Sequence, residues 1–542
     1  MTHHRPRRSY LHGAAVLATA VAVVKVIGAV YRIPILNILG DEGASPFQVA
    51  FSVYTFLLIV STAGLPVALS KLVAAADAMG RARQVRRVFT VGRNTFVALG
   101  FGSFLIMALF HQQLAELFGS PSAAYGILAL SPAVFFVGLI SAYRGYCQGL
   151  SDMVPTSVSQ IIEALARLIV GLTLAWLFAY WALPSPVTVA GAILGVTAGS
   201  VLATLYLFFA KRKVDRHRRI SDAADVPDSA RQISKSLGKI AVPLTLGASI
   251  FAFIGIIDNA VILRQLQDTV GLPYEEALSL HGTYAMTLPL FNMPISFVVP
   301  LMVALIPAIS AFLAQGDHLG ARKTSESGIR VACLLALPAG AGLTVLAGPI
   351  MDVLYYGRFA DQGAWLMAWM GLAAFFICFF QITNCVLQAY GFQRYTILTL
   401  PIGGLVKLVL TWWLLAVPGI GIYGAAIGTL ACYVVISVIN VVLVKKKIPD
   451  PPSFRRALIL PLLCTAAMAA TAWASYGLIS SVVFDVLAYA PTRVPLTISL
   501  TGSIGLAAAV YLVLIIATRA LKKEDMLMLP KGAKLAKLLR VR

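Results

Sequence analysis

The chain has 542 residues, 59% hydrophobic and 12% charged, with a mean hydropathy of +0.85 and a formal net charge of +21. A soluble domain carries about a quarter charged residues, so this composition excludes an ordinary soluble protein. Apolar stretches of about 20 residues, each long enough to cross a bilayer as a helix, recur along almost the whole length.

These stretches are rich in Gly and Leu and lack period-2 alternation, which argues against a transmembrane β-barrel. In chain order they predict fourteen helices, at 11–36, 47–76, 88–111, 124–147, 155–181, 187–210, 239–263, 283–313, 329–350, 363–388, 394–416, 420–444, 457–481 and 496–518. The first runs on through Lys25 and Arg32 with no clear small-residue cleavage site, so it reads as a retained helix rather than a signal peptide. With both ends inside, most of the 43 Lys and Arg fall in inside segments, and the outside loops hold Arg264, Arg358 and Arg493 beside acids such as Asp41, Glu42, Glu116, Glu275 and Glu276. That is the positive-inside asymmetry, and it accounts for the basic balance without nucleic acid.

A repeat underlies the helices. A shift of 240 residues puts Ser70, Asp77 and Gly80 on Ser310, Asp317 and Gly320, and Gln148, Thr156, Arg167 and Leu168 on Gln388, Thr396, Lys407 and Leu408. Around Ile27–Gly28 the offset is 227, and Gly191, Ala192 and Gly195 match Gly424, Ala425 and Gly428 at 233. The expected fold is therefore an all-α polytopic membrane protein with two pseudo-symmetric six-helix lobes, 1–235 and 236–450. A two-helix appendix (451–520) and a basic amphipathic tail (521–542) follow. Six is even, so both lobes start inside and are parallel repeats related by an axis along the membrane normal. The linker at 211–239 is polar and basic and reads as a cytoplasmic connector, while the tail spaces Leu and Met between lysines, as for a surface segment on anionic lipid.

No nucleophile elbow, Walker loop, HExxH or dinucleotide fingerprint occurs in a usable context, so nothing supports an enzyme. The six cysteines form no CxxC or Cys/His cluster, and neither zinc nor any cofactor is expected. Charges inside spans are the informative residues, because an ionisable group in hydrocarbon costs at least a few kcal/mol. Lys25 and Arg32 lie two turns apart on one face of helix 1. Glu163 and Arg167 lie four apart on helix 5 and can pair, as a site or as a structural pair. Lys407 takes the Arg167 position in the second half, and Gln148 and Gln388 form another repeated polar pair. Cations facing a cavity suit a phosphate-bearing anion, Arg as a fork and Lys as a point charge. Asp258 with Asn259, late in helix 7, suits a coupling cation, Na or H, or a pairing with a lysine. Lys71 reads as snorkelling to the inner surface. Pro289, Pro294, Pro300 and Pro307 interrupt helix 8, and Pro66 sits in the matching helix 2, as kinks that line a cavity, bend in transport or are purely structural.

GLPVALSKL (64–72), YRGYCQGLSDMVPTSVSQIIEALARL (143–168) and the helix 8 segment ending PLMVALIPAIS resemble the polysaccharide flippases of the MOP superfamily. The resemblance is to the branch holding stage V sporulation protein B and the Gram-positive lipid II flippases. Its most specific part is Arg144, Gly145, Gln148, Gly149, Pro155, Thr156, Ser159, Gln160 and Glu163. It implies a MATE-like fold in the bacterial plasma membrane with both termini cytoplasmic. It also implies two lobes rocking about a central cationic cavity, which exposes an undecaprenyl-linked sugar to either leaflet. Lys25 and, approximately, Arg32 would hold the pyrophosphate, with Arg167 and Lys407 shaping or gating the lobes. Gram-negative relatives carry further cavity arginines in helices 2 and 8; here the apolar part of helix 2 and TYAMTLPLFNMP contain none. Lipid II is the expected substrate, with another lipid-linked polysaccharide unit as the alternative and cell-wall synthesis proteins as possible partners. A cation-coupled multidrug exporter would need acidic and aromatic groups in the cavity. A non-transporting scaffold would have no need of two matched lobes.

Overall fold

In a computed structural model, residues 7–216, 225–355, 360–487, 489 and 491–521 are described; the tail at 522–542, most of the anionic-lipid segment expected above, and Arg358 lie outside them. Among the described residues every regular element is a helix. They run α1 (Arg7–Thr62), α2 (Leu65–Ala78), α3 (Ala82–Leu109), α4 (His111–Leu117), α5 (Ala124–Gly149), α6 (Val154–Tyr180), α7 (Ser185–Arg216), α8 (Ala230–Arg264), α9 (Tyr274–Phe291), α10 (Ile295–Ala314), α11 (His318–Val345), α12 (Ala347–Tyr355), α13 (Ala360–Ala389), α14 (Gln393–Leu415), α15 (Tyr423–Lys447), α16 (Phe454–Val486) and α17 (Arg493–Ala517).

Twelve helical stretches among the described residues are long and apolar enough to span a membrane. One of them, Thr19–Ala78, is 60 residues long, about 90 Å at the α-helical rise and enough for two crossings, which makes thirteen; the expected span at 239–263 lies within α8 and is not among the twelve. The chain is a multi-pass helical membrane protein.

The predicted loop between the first two spans is almost absent. α1 stays helical through it except at Gly40, whose φ of 70° and ψ of −173° break the ladder. A positive φ is cheap only without a Cβ, so one glycine replaces a connecting loop. The proline expectations fall in two classes. Pro66 opens α2 and Pro294 stands at the N-cap of α10, where a missing N–H costs nothing, whereas Pro289, Pro300 and Pro307 lie inside helices.

The chain divides into two compact units, Met1–Gly282 and Thr283–Arg542. The first includes α8, the helix that the repeat assigns to the second half. Gly64 shows the physical reason: its N–H donates to Thr245 Oγ1 at 3.0 Å, and a Cβ there would lie 2.2 Å from the Ala241 carbonyl oxygen. Only a glycine lets α8 approach the start of α2 so closely.

Each unit also ties down the polar segment that follows its α7 or α15. In the first, Asp225 accepts from Arg81 Nε at 3.0 Å and from the Gln84 amide at 2.9 Å, beside the first turn of α3. Asp228 accepts from the Gln84 side chain at 2.8 Å. Burial by itself would raise the Asp225 carboxyl pKa, but the Gln84 and Arg83 amides and the Arg81 guanidinium bring it below its ordinary value. In the second, Arg322 near the start of α11 pairs with Asp450 at 2.6 Å and Glu326 at 3.2 Å, and Glu326 accepts from the Ser453 amide at 2.8 Å. All six cysteines are buried in the helices and none is in a disulfide.

Candidate functional site

Helix α6 carries its polar residues on one side. Gln160, Glu163, Ala164 and Arg167 recur at spacings of three and four and so share a face. The opposite side is pressed against α7 by glycines. A Cβ on Gly195 would lie 2.5 Å from the Gly171 nitrogen and 2.8 Å from the Arg167 carbonyl oxygen, and one on Gly199 would lie 2.6 Å from the Glu163 carbonyl oxygen. Backbone-to-backbone packing on that side leaves the Glu163 and Arg167 side chains to the other.

There they meet α1 and α5. A cavity of about 270 Å³ is lined by Val21, Val24, Lys25, Ile27, Gly28 and Tyr31 of α1, Arg144 of α5, and the four α6 residues. A Cβ on Gly28 would meet nothing within 4 Å, so the missing side chain is part of the space. Tyr31 is buried and donates to the Ala192 carbonyl at 3.1 Å, which fixes α1 to α7.

The charged groups form a trio. Arg144 Nη2 stands 3.0 Å from Glu163 Oε2, and Arg167 Nη2 stands 3.4 Å from Glu163 Oε1. Arg144 Nε donates to Ser159 Oγ at 2.9 Å. Their side chains are 17%, 28% and 16% exposed for Arg144, Arg167 and Glu163, so the trio faces the cavity rather than bulk water. Two guanidiniums and Lys25 against one carboxylate leave the cavity walls net positive. Two buried atoms, Arg167 Nε and Gln160 Oε1, have no hydrogen-bond partner among the described residues. Unmet polar atoms in an apolar bundle cost free energy unless something binds them. This cavity has the chemistry of an anion site.

The structure thus brings Lys25, Glu163 and Arg167 together and adds Arg144, Gln160 and Tyr31, which had not been singled out as cavity residues. For Arg144 and Gln160 the signal was available, since both stand in the specific motif of α5 and α6. Arg32 is placed elsewhere. Its Nη2 donates to Gln48 Oε1, and Gln48 Nε2 reaches Ser52 Oγ at 3.4 Å. Ser52 Oγ accepts from Asn259 Nδ2 at 2.9 Å, and Asn259 Oδ1 accepts from His281 Nε2 at 3.0 Å. His281 Nδ1 lies 2.7 Å from Ser45 Oγ, which closes the chain. This polar chain inside the first unit, half-buried at Arg32, Gln48 and Ser52 and buried at Asn259, His281 and Ser45, takes up Arg32 and Asn259; Asp258, next to Asn259, is buried as well. Gln148 is half-buried on α5. Lys407 and Gln388 lie half-buried in the second unit, on α14 and α13.

Residues 10–313 match the family described as "Polysaccharide biosynthesis protein", more than half of the chain. The chain belongs to this family. A second match, to the MatE family, covers residues 278–413, and both place it in the MOP superfamily. Stage V sporulation protein B of Bacillus subtilis (strain 168) is 25% identical over 532 residues, 97% of this chain and 98% of that protein. Lipid II flippase MurJ of the same organism is 26% identical over 422 residues, 74% of this chain and 76% of that one. A solved structure of lipid II flippase MurJ in an inward closed conformation superposes with a TM-score of 0.67 at 14% identity, covering 93% of this chain and 99% of that chain. That likeness is one of fold. Within the polysaccharide biosynthesis family the matched segment contains the whole cavity, from Val21 to Arg167.

Proposed function

We propose that this protein is a flippase that carries an undecaprenyl-pyrophosphate-linked cell-wall precursor, lipid II in the first instance, across the bacterial plasma membrane. The observation that carries the reading is the net-positive cavity of Lys25, Arg144 and Arg167 inside an apolar helical bundle. A pyrophosphate needs cations where water is scarce, and guanidinium forks match its oxygens. The similarity to a protein named as a lipid II flippase, over three quarters of its length, supports the same class of substrate.

Transport proceeds by alternating access, with no covalent chemistry, so the protein acts as a transporter and not as an enzyme. Both termini face the cytoplasm, where the basic linker and tail contact anionic lipid and offer a surface to cell-wall synthesis proteins. The lobes are 1–235 and 236–450, followed by the appendix. A sodium ion or proton at Asp258 and Asn259, or the membrane potential, supplies the drive.

The test is lipid II translocation in cells depleted of their own flippase and complemented with this chain. Rescue of growth with lipid II in the outer leaflet supports the reading. Failure despite good expression and insertion removes lipid II and moves the substrate to another lipid-linked glycan.

A further inference from the structure

The trio at the cavity wall has a stoichiometry that a simple helix staple does not need: one carboxylate shared by two guanidiniums, one oxygen each. We propose that Glu163 is a resident counter-ion, occupying the seat that the substrate's pyrophosphate takes, so that loading exchanges one anion for another at Arg144 and Arg167. The proposal rests on the flippase reading and deepens it by assigning the anion seat to α5 and α6.

Three observations support the exchange. First, neither arginine is saturated by the carboxylate. Glu163 engages a single nitrogen of each guanidinium, and the Arg167 contact is long at 3.4 Å, whereas a guanidinium binds best through two parallel donors. Second, the site keeps spare polar capacity on the same wall. Arg167 Nε is a buried donor without a partner among the described residues, and Gln160 Oε1 is a buried acceptor in the same condition. A diphosphate has enough oxygens to take both forks and the spare donor, and a protonated phosphate oxygen or a sugar hydroxyl can donate to Gln160. Third, Arg144 keeps its place when the carboxylate leaves. Arg144 is anchored at Nε by Ser159 at 2.9 Å, and Glu163 sits one helical turn from Arg167, so it returns when the substrate departs.

The physical logic is reciprocal. Two arginines facing each other in an apolar bundle repel and are costly to desolvate, so an empty site needs an internal anion. A substrate that must also leave gains from the same carboxylate, because it competes at release as it did at loading. Glu163 therefore sets the affinity low enough for turnover.

The experiment uses the full-length protein in lipid nanodiscs and farnesyl pyrophosphate as probe, titrated against wild type, Glu163→Gln, Glu163→Asp and Arg144→Lys. The proposal expects Glu163→Gln to bind the probe about tenfold more tightly and to release it more slowly, with lipid II turnover falling. Glu163→Asp is one methylene shorter and reaches one arginine at a time, so its affinity lies between the two. Arg144→Lys weakens binding and cancels the gain when combined with Glu163→Gln. If Glu163→Gln does not fold, Glu163→Asp decides by the same sign. Unchanged or weaker binding in the folded Glu163 variants, while Arg144→Lys still loses affinity, overturns the counter-ion and leaves the flippase reading standing. Absence of binding in wild type and every variant overturns both.

Discussion

The packing of α6 on α7 in the first unit and of α14 on α15 in the second starts from one repeat and ends in two chemistries. Arg167 and Gly195 recur as Lys407 and Gly428, and the contact recurs too. A Cβ on Gly195 would lie 2.8 Å from the Arg167 carbonyl oxygen, and one on Gly428 would lie 3.3 Å from that of Lys407. One turn away the solution is inverted. In the first unit the glycine is Gly199 on α7, which receives the backbone of Glu163; in the second it is Gly403 on α14, 240 residues after Glu163, packed on Ile436 and Cys432 of α15. Close approach needs a small residue on one of the two helices, and it does not matter which. The choice decides whether the position can carry a carboxylate. Arg144 has Asn384 as its counterpart, so the guanidinium–carboxylate trio belongs to one half alone.

The largest effect should separate the halves by function. Arg144→Ala removes a fork from the cavity and strands Glu163, and should lower lipid II translocation at least about tenfold, whereas Lys407→Ala should cost less than about threefold in the same assay. Comparable losses would make the two halves equal partners in binding. A second substitution tests the cavity as a space. Gly28→Phe puts a ring where a Cβ meets nothing within 4 Å, and should abolish transport with little change in Tm. Its repeat counterpart Gly255 also faces open space but is not among the residues that line the cavity, so Gly255→Phe should leave more activity.

Stability should separate the halves at the shared glycine. A Cβ at Gly195 would lie 2.5 Å from the backbone nitrogen of Gly171, which cannot turn aside, while a Cβ at Gly428 first meets the Thr411 hydroxyl at 2.3 Å, which can rotate. Gly195→Ala should therefore cost roughly 1–3 kcal/mol in thermal unfolding and Gly428→Ala less. The smallest effect concerns Asp225. Its folded pKa is depressed, so its contribution is present above the unfolded value near ~4 and is lost as pH falls through the folded value. Protection of the Gln84 amide against hydrogen exchange, relative to the intrinsic rate at each pH, should fall on acidification below about pH 4, and Asp225→Asn should remove that dependence.

What the sequence discloses follows from range. The helical class, the membrane class and the i, i+4 pair of Glu163 and Arg167 are periodic signals, and periodicity survives in a single chain read from end to end. Matching the halves by a constant offset also pairs Arg167 and Gly195 with Lys407 and Gly428, and each glycine does pack on the backbone of its partner. Arg144 stands in the motif but was not assigned to the cavity, because its partner is 19 residues away on another helix, and which face of α5 meets α6 depends on packing. Arg32 shows the converse. Its spacing from Lys25 suggested a common site, yet its guanidinium turns to Gln48, and a hydrogen bond of that kind leaves no periodic trace. The Ser45–His281 contact spans 236 residues, beyond any local pattern.

The ion pairs that hold Asp225 and Asp450 act as clasps. In each unit a polar segment is returned to the start of that unit's own α3 or α11, through Arg81 in one and Arg322 in the other, a single residue off the 240-residue register. Each clasp closes a long excursion of the chain inside its own unit, 144 residues between Arg81 and Asp225 and 128 between Arg322 and Asp450. A covalent path that long holds its two ends together only weakly, so the charges do what the backbone cannot.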